Sequence, residues 1–167
     1  MAFHAKLSAS GSKQWMNCPG SVAAEARNPN PRGSSIFAME GTAAHLLCEL
    51  YAGENLRPEE FLGETIYIWQ DDAYLERDLG RVLAQKGTTL AETPATAEFL
   101  VDQDMIDAVE YFVAAVEAAR ARLDPKGREE YSEKWLDLTW LHPLLGGTGD
   151  YIGVEAFGWA ELVDYKH

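Results

Sequence analysis

The sequence predicts an α+β fold, a mixed α/β layer in which N-terminal helices pack on a small, mainly antiparallel sheet. Three observations predict it. Residues 101 to 123 carry Met105, Ile106, Val109, Phe112, Val113, Val116 and Ala119 at spacings of three and four, one face of a helix. Residues 35 to 51 carry Ala43, Ala44, Leu46, Leu47 and Leu50, a broad apolar stripe that marks a second, buried helix. From Tyr131 the pattern turns strand-like, first over 131–140 and then in a hairpin over 146–167. Helices first and antiparallel strands after them make an α+β layer.

Taken in order, Ser10 or Ser12 caps a short helix through Trp15 to about Cys18, which Pro19-Gly20 breaks. Residues 21 to 27 resume as a helical turn, and residues 28 to 35 (NPNPRGSS) are a loop by composition. The helix of 35–51 follows, with His45 and Glu49 four apart on one face. Residues 52 to 100 are broken by glycines and prolines and are expected to form a lid or insertion on the core. Within them Glu64–Trp69 reads as a short strand and Asp72–Gln85 as a helix. The helix of 101–123 has Asp102 and Asp104 at its positive end and Arg120 and Arg122 at its negative end. Asp124-Pro-Lys-Gly127 terminates it. In the strand 131–140, Ser132, Lys134, Leu136, Leu138 and Trp140 share one face.

The 167 residues suggest a single domain, 1–167. No apolar run is long enough to span a membrane and no secretion signal opens the chain, so a cytoplasmic protein of a bacterial host cell is expected. Net charge is −13, from 27 acidic and 14 basic residues. That balance disfavours binding to DNA phosphates unless a local basic surface exists. Cys18 and Cys48 are the two cysteines; a cytosolic disulfide is not expected, and Cys18 reads as a buried small side chain.

The hairpin carries the chemistry. Asp150–Val154 is one strand, Glu155–Gly158 a turn, and Trp159–Lys166 the second strand. Ile152, Val154, Leu162 and Val163 mark it as a core hairpin, in which Asp150 and Asp164 converge and Asp164 and Lys166 share a side. Two carboxylates on adjacent strands repel unless a cation or proton lies between them. Oxygen ligands suit Mg²⁺ or Mn²⁺, and a nearby ammonium can orient water or stabilise charge on a phosphate. Spacing alone leaves open a second reading, a hairpin with solvated charges and a weak Asp–Lys pair. For His45 the same spacing leaves open a core histidine satisfied by Glu49 or a carbonyl.

The ordered set Leu7-Ser-Ala-Ser10, Trp15-Met-Asn-Cys-Pro-Gly-Ser21, Gly41-Thr-Ala-Ala-His45, Val101-Asp-Gln-Asp-Met105, Gly149-Asp150 and Asp164-Tyr-Lys166 resembles the PD-(D/E)XK nuclease superfamily, in its RecB-like exonuclease branch and phage-encoded form. The resemblance implies a restriction-endonuclease-like core and a metal-dependent deoxyribonuclease. It implies Asp150, Asp164, Lys166 and His45 as catalytic residues. Asp150, Asp164, His45 and the backbone carbonyl of Tyr165 would hold Mg²⁺ or Mn²⁺, and Glu133 and Glu49 would stand behind them. Some members bind an iron–sulfur cluster through four cysteines; with two cysteines here none is expected. Members also continue past the lysine into a Q-x-x-x-Y helix. This chain stops at His167, so an N-terminal portion with weak or no cleavage is expected. The implied partner is DNA. The alternative is a non-enzymatic acidic phage protein that binds a host protein or a phage recombination protein by imitating nucleic acid.

Overall fold

The structure, a computed structural model, describes residues 7, 11–27, 35–69, 72–77, 81–82, 95–156 and 158–165. The chain divides into two compact units, with boundaries after Gly33, Glu133 and Gly149.

In the first unit, α1 (Ser12–Asn17) and α2 (Ser21–Glu25) are short helices held side by side by a 2.7 Å hydrogen bond from Gln14 Nε2 to Glu25 Oε1. Gly11, not a serine, occupies the α1 N-cap. Cys18, expected to be buried, is exposed, because α1 is too short to bury any of its residues. Leu7 donates its N–H to the Leu144 carbonyl at 3.0 Å. At Gly146 a Cβ would stand 2.7 Å from the Trp135 ring, so glycine is what lets the two strands close here.

The second unit is built on two helices. α3 (Ile36–Glu54) starts at Ser35, whose hydroxyl accepts from the Ala38 N–H at 3.2 Å. It ends at Asn55, which adopts a left-handed φ of 58° that asparagine tolerates. α4 (Gln103–Arg122) starts at Asp102, whose carboxylate accepts from the Met105 N–H at 2.9 Å. All seven apolar positions read from its periodicity are buried. A 3₁₀ turn, Pro58–Phe61, links α3 to an antiparallel sheet in the order β3 (Arg81–Val82), β2 (Asp72–Arg77), β1 (Thr65–Trp69), β4 (Ala97–Leu100).

Asp72–Gln85 is thus not a helix in its described part. Its register with β1, Ile66↔Leu75 and Tyr67↔Tyr74, puts Leu75 beside Ile66 in the core, and that pairing outweighs the weak helical propensity of the segment. Phe61, Ile66, Ile68 and Leu75, from the stretch read as a lid or insertion, belong to the same apolar cluster as Leu47, Tyr51, Val109 and Val116.

The second sheet runs β5 (Arg128–Asp137), β6 (Gly146–Glu155), β7 (Ala160–Val163). The hairpin forms with Tyr151↔Val163 and Ile152↔Leu162 in register, and Gly158 turns it with φ 89°. The chain is therefore α+β, with helices against small antiparallel sheets. Among the described residues no helix is long and apolar enough to cross a membrane.

Gly153 shows how tightly β6 meets α4. A Cβ there would stand 2.4 Å from Leu123 Cδ1 and 2.9 Å from the Tyr151 hydroxyl oxygen. Overpacking of this kind costs about 1–3 kcal/mol. Gly153→Ala is expected to lower stability by that amount in a urea titration, whereas Gly147→Ala, with open space around it, should not.

Candidate metal centre

Three elements bring one polar side chain each to a single point. α3 turns Leu46, Leu47 and Leu50 inward and leaves His45 partly exposed beside that apolar face. β6 carries Asp150, the one buried charged residue among the described residues, at 7% exposure. β5 carries Glu133, whose backbone is left-handed at φ 51°. A non-glycine residue in that region costs on the order of 1–3 kcal/mol and persists only where its surroundings enforce it. The kink interrupts the side-chain alternation of β5.

His45 Nε2 lies 3.1 Å from Asp150 Oδ1 and 3.3 Å from Glu133 Oε1. One donor atom from each of the three lies within 4.8 Å of the others. Asp150 Oδ2 accepts the Tyr165 N–H at 2.5 Å. The Tyr165 ring stands 6.5 Å from the imidazole and packs edge-on to Phe112 at 6.3 Å.

These residues fit a divalent cation. Metal–ligand bonds of about 2.0–2.2 Å in octahedral or tetrahedral geometry put neighbouring donor atoms about 3.0–3.5 Å apart, and His45 Nε2 stands 3.1 Å from the Asp150 oxygen and 3.3 Å from the Glu133 oxygen. The donor set is one imidazole and two carboxylates, which suits Mn²⁺ and other transition ions as well as Mg²⁺.

Of the residues read from sequence, the structure brings His45 and Asp150 together, and adds Glu133 as a member of the group rather than a residue behind it. Asp164 is not in the group. The hairpin register sets it opposite Asp150, one step past the last paired position, but at the exposed end of β7. The inward face of β7 is that of Val163 and Tyr165, while Leu162, expected in the core, is 54% exposed. The main chain of Tyr165 meets Asp150 through its N–H, where the carbonyl was the expected group. Glu49 stands one turn from His45 and acts on it by charge. Lys166 lies outside the described residues. No sequence signal gives the left-handed backbone at 133; a glutamate in a strand was the only hint.

The family model DUF2800, described as a protein of unknown function, matches residues 4–167. The chain belongs to the DUF2800 family. No solved structure matches it.

In this DUF2800 chain the electrostatics of the group are set by its carboxylates. Burial works against a charged imidazole, but the hydrogen bond to Asp150 and the charges of Asp150, Glu133 and Glu49 outweigh it, and the His45 pKa is raised above 6.5. Cys48, one turn along α3, is fully buried; burial first, then the charges of Asp150 and Glu133, push its thiol pKa up, so it stays protonated at neutral pH.

The pH dependence follows. Protonated His45 stabilises the metal-free fold fully below the unfolded value near 6.5, and that contribution is lost as pH rises through the raised folded value. A metal needs the neutral ring, so its affinity grows over the same window. Between pH 6 and pH 8 the metal-free melting temperature should lose this contribution while the shift caused by saturable Mn²⁺ grows. Scanning calorimetry of wild type and His45→Gln at both pH values checks it; equal pH slopes in the two proteins would remove His45 from the account.

Proposed function

We propose that this DUF2800 chain is a metal-dependent nuclease that hydrolyses DNA phosphodiesters, of the PD-(D/E)XK type and RecB-like branch. The observation that carries the reading is the convergence of His45, Glu133 and Asp150 from α3, β5 and β6 to within 4.8 Å. It stands at the residues on which the sequence resemblance rests, the G-x-x-x-H helix and the Gly-Asp strand.

His45, Glu133 and Asp150 would hold Mg²⁺ or Mn²⁺. Such an ion polarises a phosphoryl oxygen and makes bound water acidic. The chain's own part is to fix the donor atoms. Asp150 spans the site, one oxygen toward His45 and the other taking the Tyr165 N–H, so the end of β7 is tied to α3. That tie sets where Asp164 stands. In this reading Asp164 adds a carboxylate from the exposed side and Lys166 orients the attacking water or meets charge on the phosphate. Glu133, forced by its backbone, closes the third side.

The test is digestion of linear duplex and single-stranded DNA at low salt with Mn²⁺ or Mg²⁺, alongside His45→Ala. Metal-dependent cleavage that falls by more than about 100-fold in the variant is the expected result, beyond the 10–100-fold typical of residues that only orient ligands. Cleavage insensitive to chelator, or equal in the variant, would overturn it.

The net charge of −13 supports a second reading, a nuclease-like acidic protein that binds a host or phage recombination protein in place of nucleic acid. Under it, the digestion shows no cleavage, and metal binding leaves partner binding unchanged.

A further inference from the structure

Away from the metal centre, α3, α4 and β5 enclose an open cleft of about 580 Å³ lined by Gly53, Asn55, Arg120, Arg128, Glu130 and Ser132, with Ala52 and Glu54 at the end of α3. Two guanidiniums share one carboxylate there. Arg120 Nε donates to Glu130 Oε2 at 3.0 Å and its Nη2 lies 2.9 Å from the same oxygen, while Arg128 Nε pairs with Glu130 Oε1. Arg120 Nη1 donates to Asn55 Oδ1 at 3.1 Å, and Arg128 Nη1 to the Arg120 carbonyl at 3.0 Å. Each arginine has five N–H donors, so both keep donors beyond these contacts. Arg120 also lies over the Tyr51 and Tyr151 rings, at 5.3 and 5.6 Å, which fixes its plane. The Ser132 hydroxyl oxygen is shielded from solvent and makes no hydrogen bond among the described residues.

We propose that this cleft is a phosphate subsite, taking one phosphate oxyanion on Arg128 and Arg120 with the Ser132 hydroxyl as a further donor. Arginine pairs bind phosphate through parallel N–H bonds, and a fork held in plane loses less entropy on binding. The arginine side chains are 18% and 23% exposed, so their field is screened less than that of a surface lysine. Glu54 and the carbonyl end of α3 oppose an anion, but Glu54 is exposed and screened, and Arg120 already sits against that helix end through Asn55. Glu130 opposes it too, and holds the two guanidiniums side by side.

The subsite deepens the nuclease reading and rests on it for the identity of the ligand. Ser132 and Glu133 are consecutive in β5, and Gly53 and His45 are eight residues apart on α3, about 12 Å along its axis. A strand with one phosphate at the metal centre would have another in the cleft. In a chain of net charge −13, a local arginine pair supplies the basic contact that DNA binding needs.

The test is fluorescence anisotropy of a labelled single-stranded thymidine oligomer in EDTA, where no cleavage occurs, with wild type, Arg128→Gln and Glu130→Gln. A second arm follows melting temperature in inorganic phosphate against chloride at equal ionic strength. Loss of one phosphate contact should weaken oligomer binding several-fold in Arg128→Gln and reduce the salt slope by about 0.7. Glu130→Gln, which removes the competing carboxylate, should strengthen binding. Opposite signs in two variants that both break the same ion pair cannot come from damage to the fold. If only the phosphate-induced melting shift responds, in the same opposite directions, the cleft takes free phosphate rather than a nucleic-acid strand. Unchanged oligomer and phosphate responses in both variants would make the trio a structural ion-pair cluster and overturn the proposal. An inactive but oligomer-binding wild type would refute the nuclease reading and leave the subsite standing.

Discussion

Asp150→Asn is expected to abolish the stabilisation of the protein by Mn²⁺ or Mg²⁺. Asparagine keeps the shape of the side chain and an oxygen for the Tyr165 N–H, so the hairpin should stay folded. What disappears is the charge nearest His45 and one of three donor atoms. In wild type, metal at 100 times its dissociation constant adds about 2.7 kcal/mol by mass action. For a chain of this size that is a rise in melting temperature of about 5–10 °C. The variant should show almost none of it, and any metal-dependent cleavage should fall by more than about 100-fold. The metal-free variant should also lose much of the pH dependence described above, because the Asp150 hydrogen bond and charge are the leading influences raising the His45 pKa. A metal-induced shift of full size in Asp150→Asn would remove this residue from the site.

The largest loss of stability is expected from Tyr51→Ala. Tyr51 is 1% exposed and closes the core between α3 and α4. Two guanidiniums lie over its ring, Arg57 at 5.4 Å and Arg120 at 5.3 Å, and its hydroxyl donates to Glu117 Oε1 at 3.3 Å. Truncating a buried aromatic costs about 3–5 kcal/mol, and each cation–π contact adds about 0.5–1 kcal/mol. The melting temperature should fall by about 8–28 °C, measured by circular dichroism. Tyr51→Phe keeps the ring and both stacked arginines and should cost less than about 1.5 kcal/mol, the worth of one hydrogen bond. Equal losses in the two variants would mean that the hydroxyl, not the ring, holds this part of the core.

The parts of the fold that could be read from sequence are those whose burial repeats within one element. α4 shows this best, since a stripe at three and four is visible without knowing what covers it. The strand state of β2 was not visible, because it depends on a partner: Leu75 becomes a core residue only when β1 lies beside it. The hairpin was legible in outline but not in facing. Leu162 and Val163 are both apolar, so the sequence does not say which one points inward; packing against α4 selects Val163. At the candidate site, the motif resemblance singled out His45 and Asp150, whereas the spacing of the residues left a structural role open for both. Glu133 does not stand out in the same way, because its place depends on a backbone angle that no neighbouring residue announces.

That angle narrows what position 133 can become as the gene drifts. At φ 51° the β-branched residues are strongly disfavoured, and glycine, asparagine and aspartate are the easier occupants. Glycine would relieve the backbone but bring no oxygen. Asparagine would bring a neutral one, and aspartate a carboxylate one methylene shorter than the 3.3 Å contact to His45 now uses. Glutamate is among the costlier residues for the backbone and the one whose reach this contact matches. Of the single-nucleotide changes at a glutamate codon, those to glycine and aspartate move the chain toward a more relaxed strand and a poorer cage, so selection for stability and selection for the cage pull on this position in opposite directions.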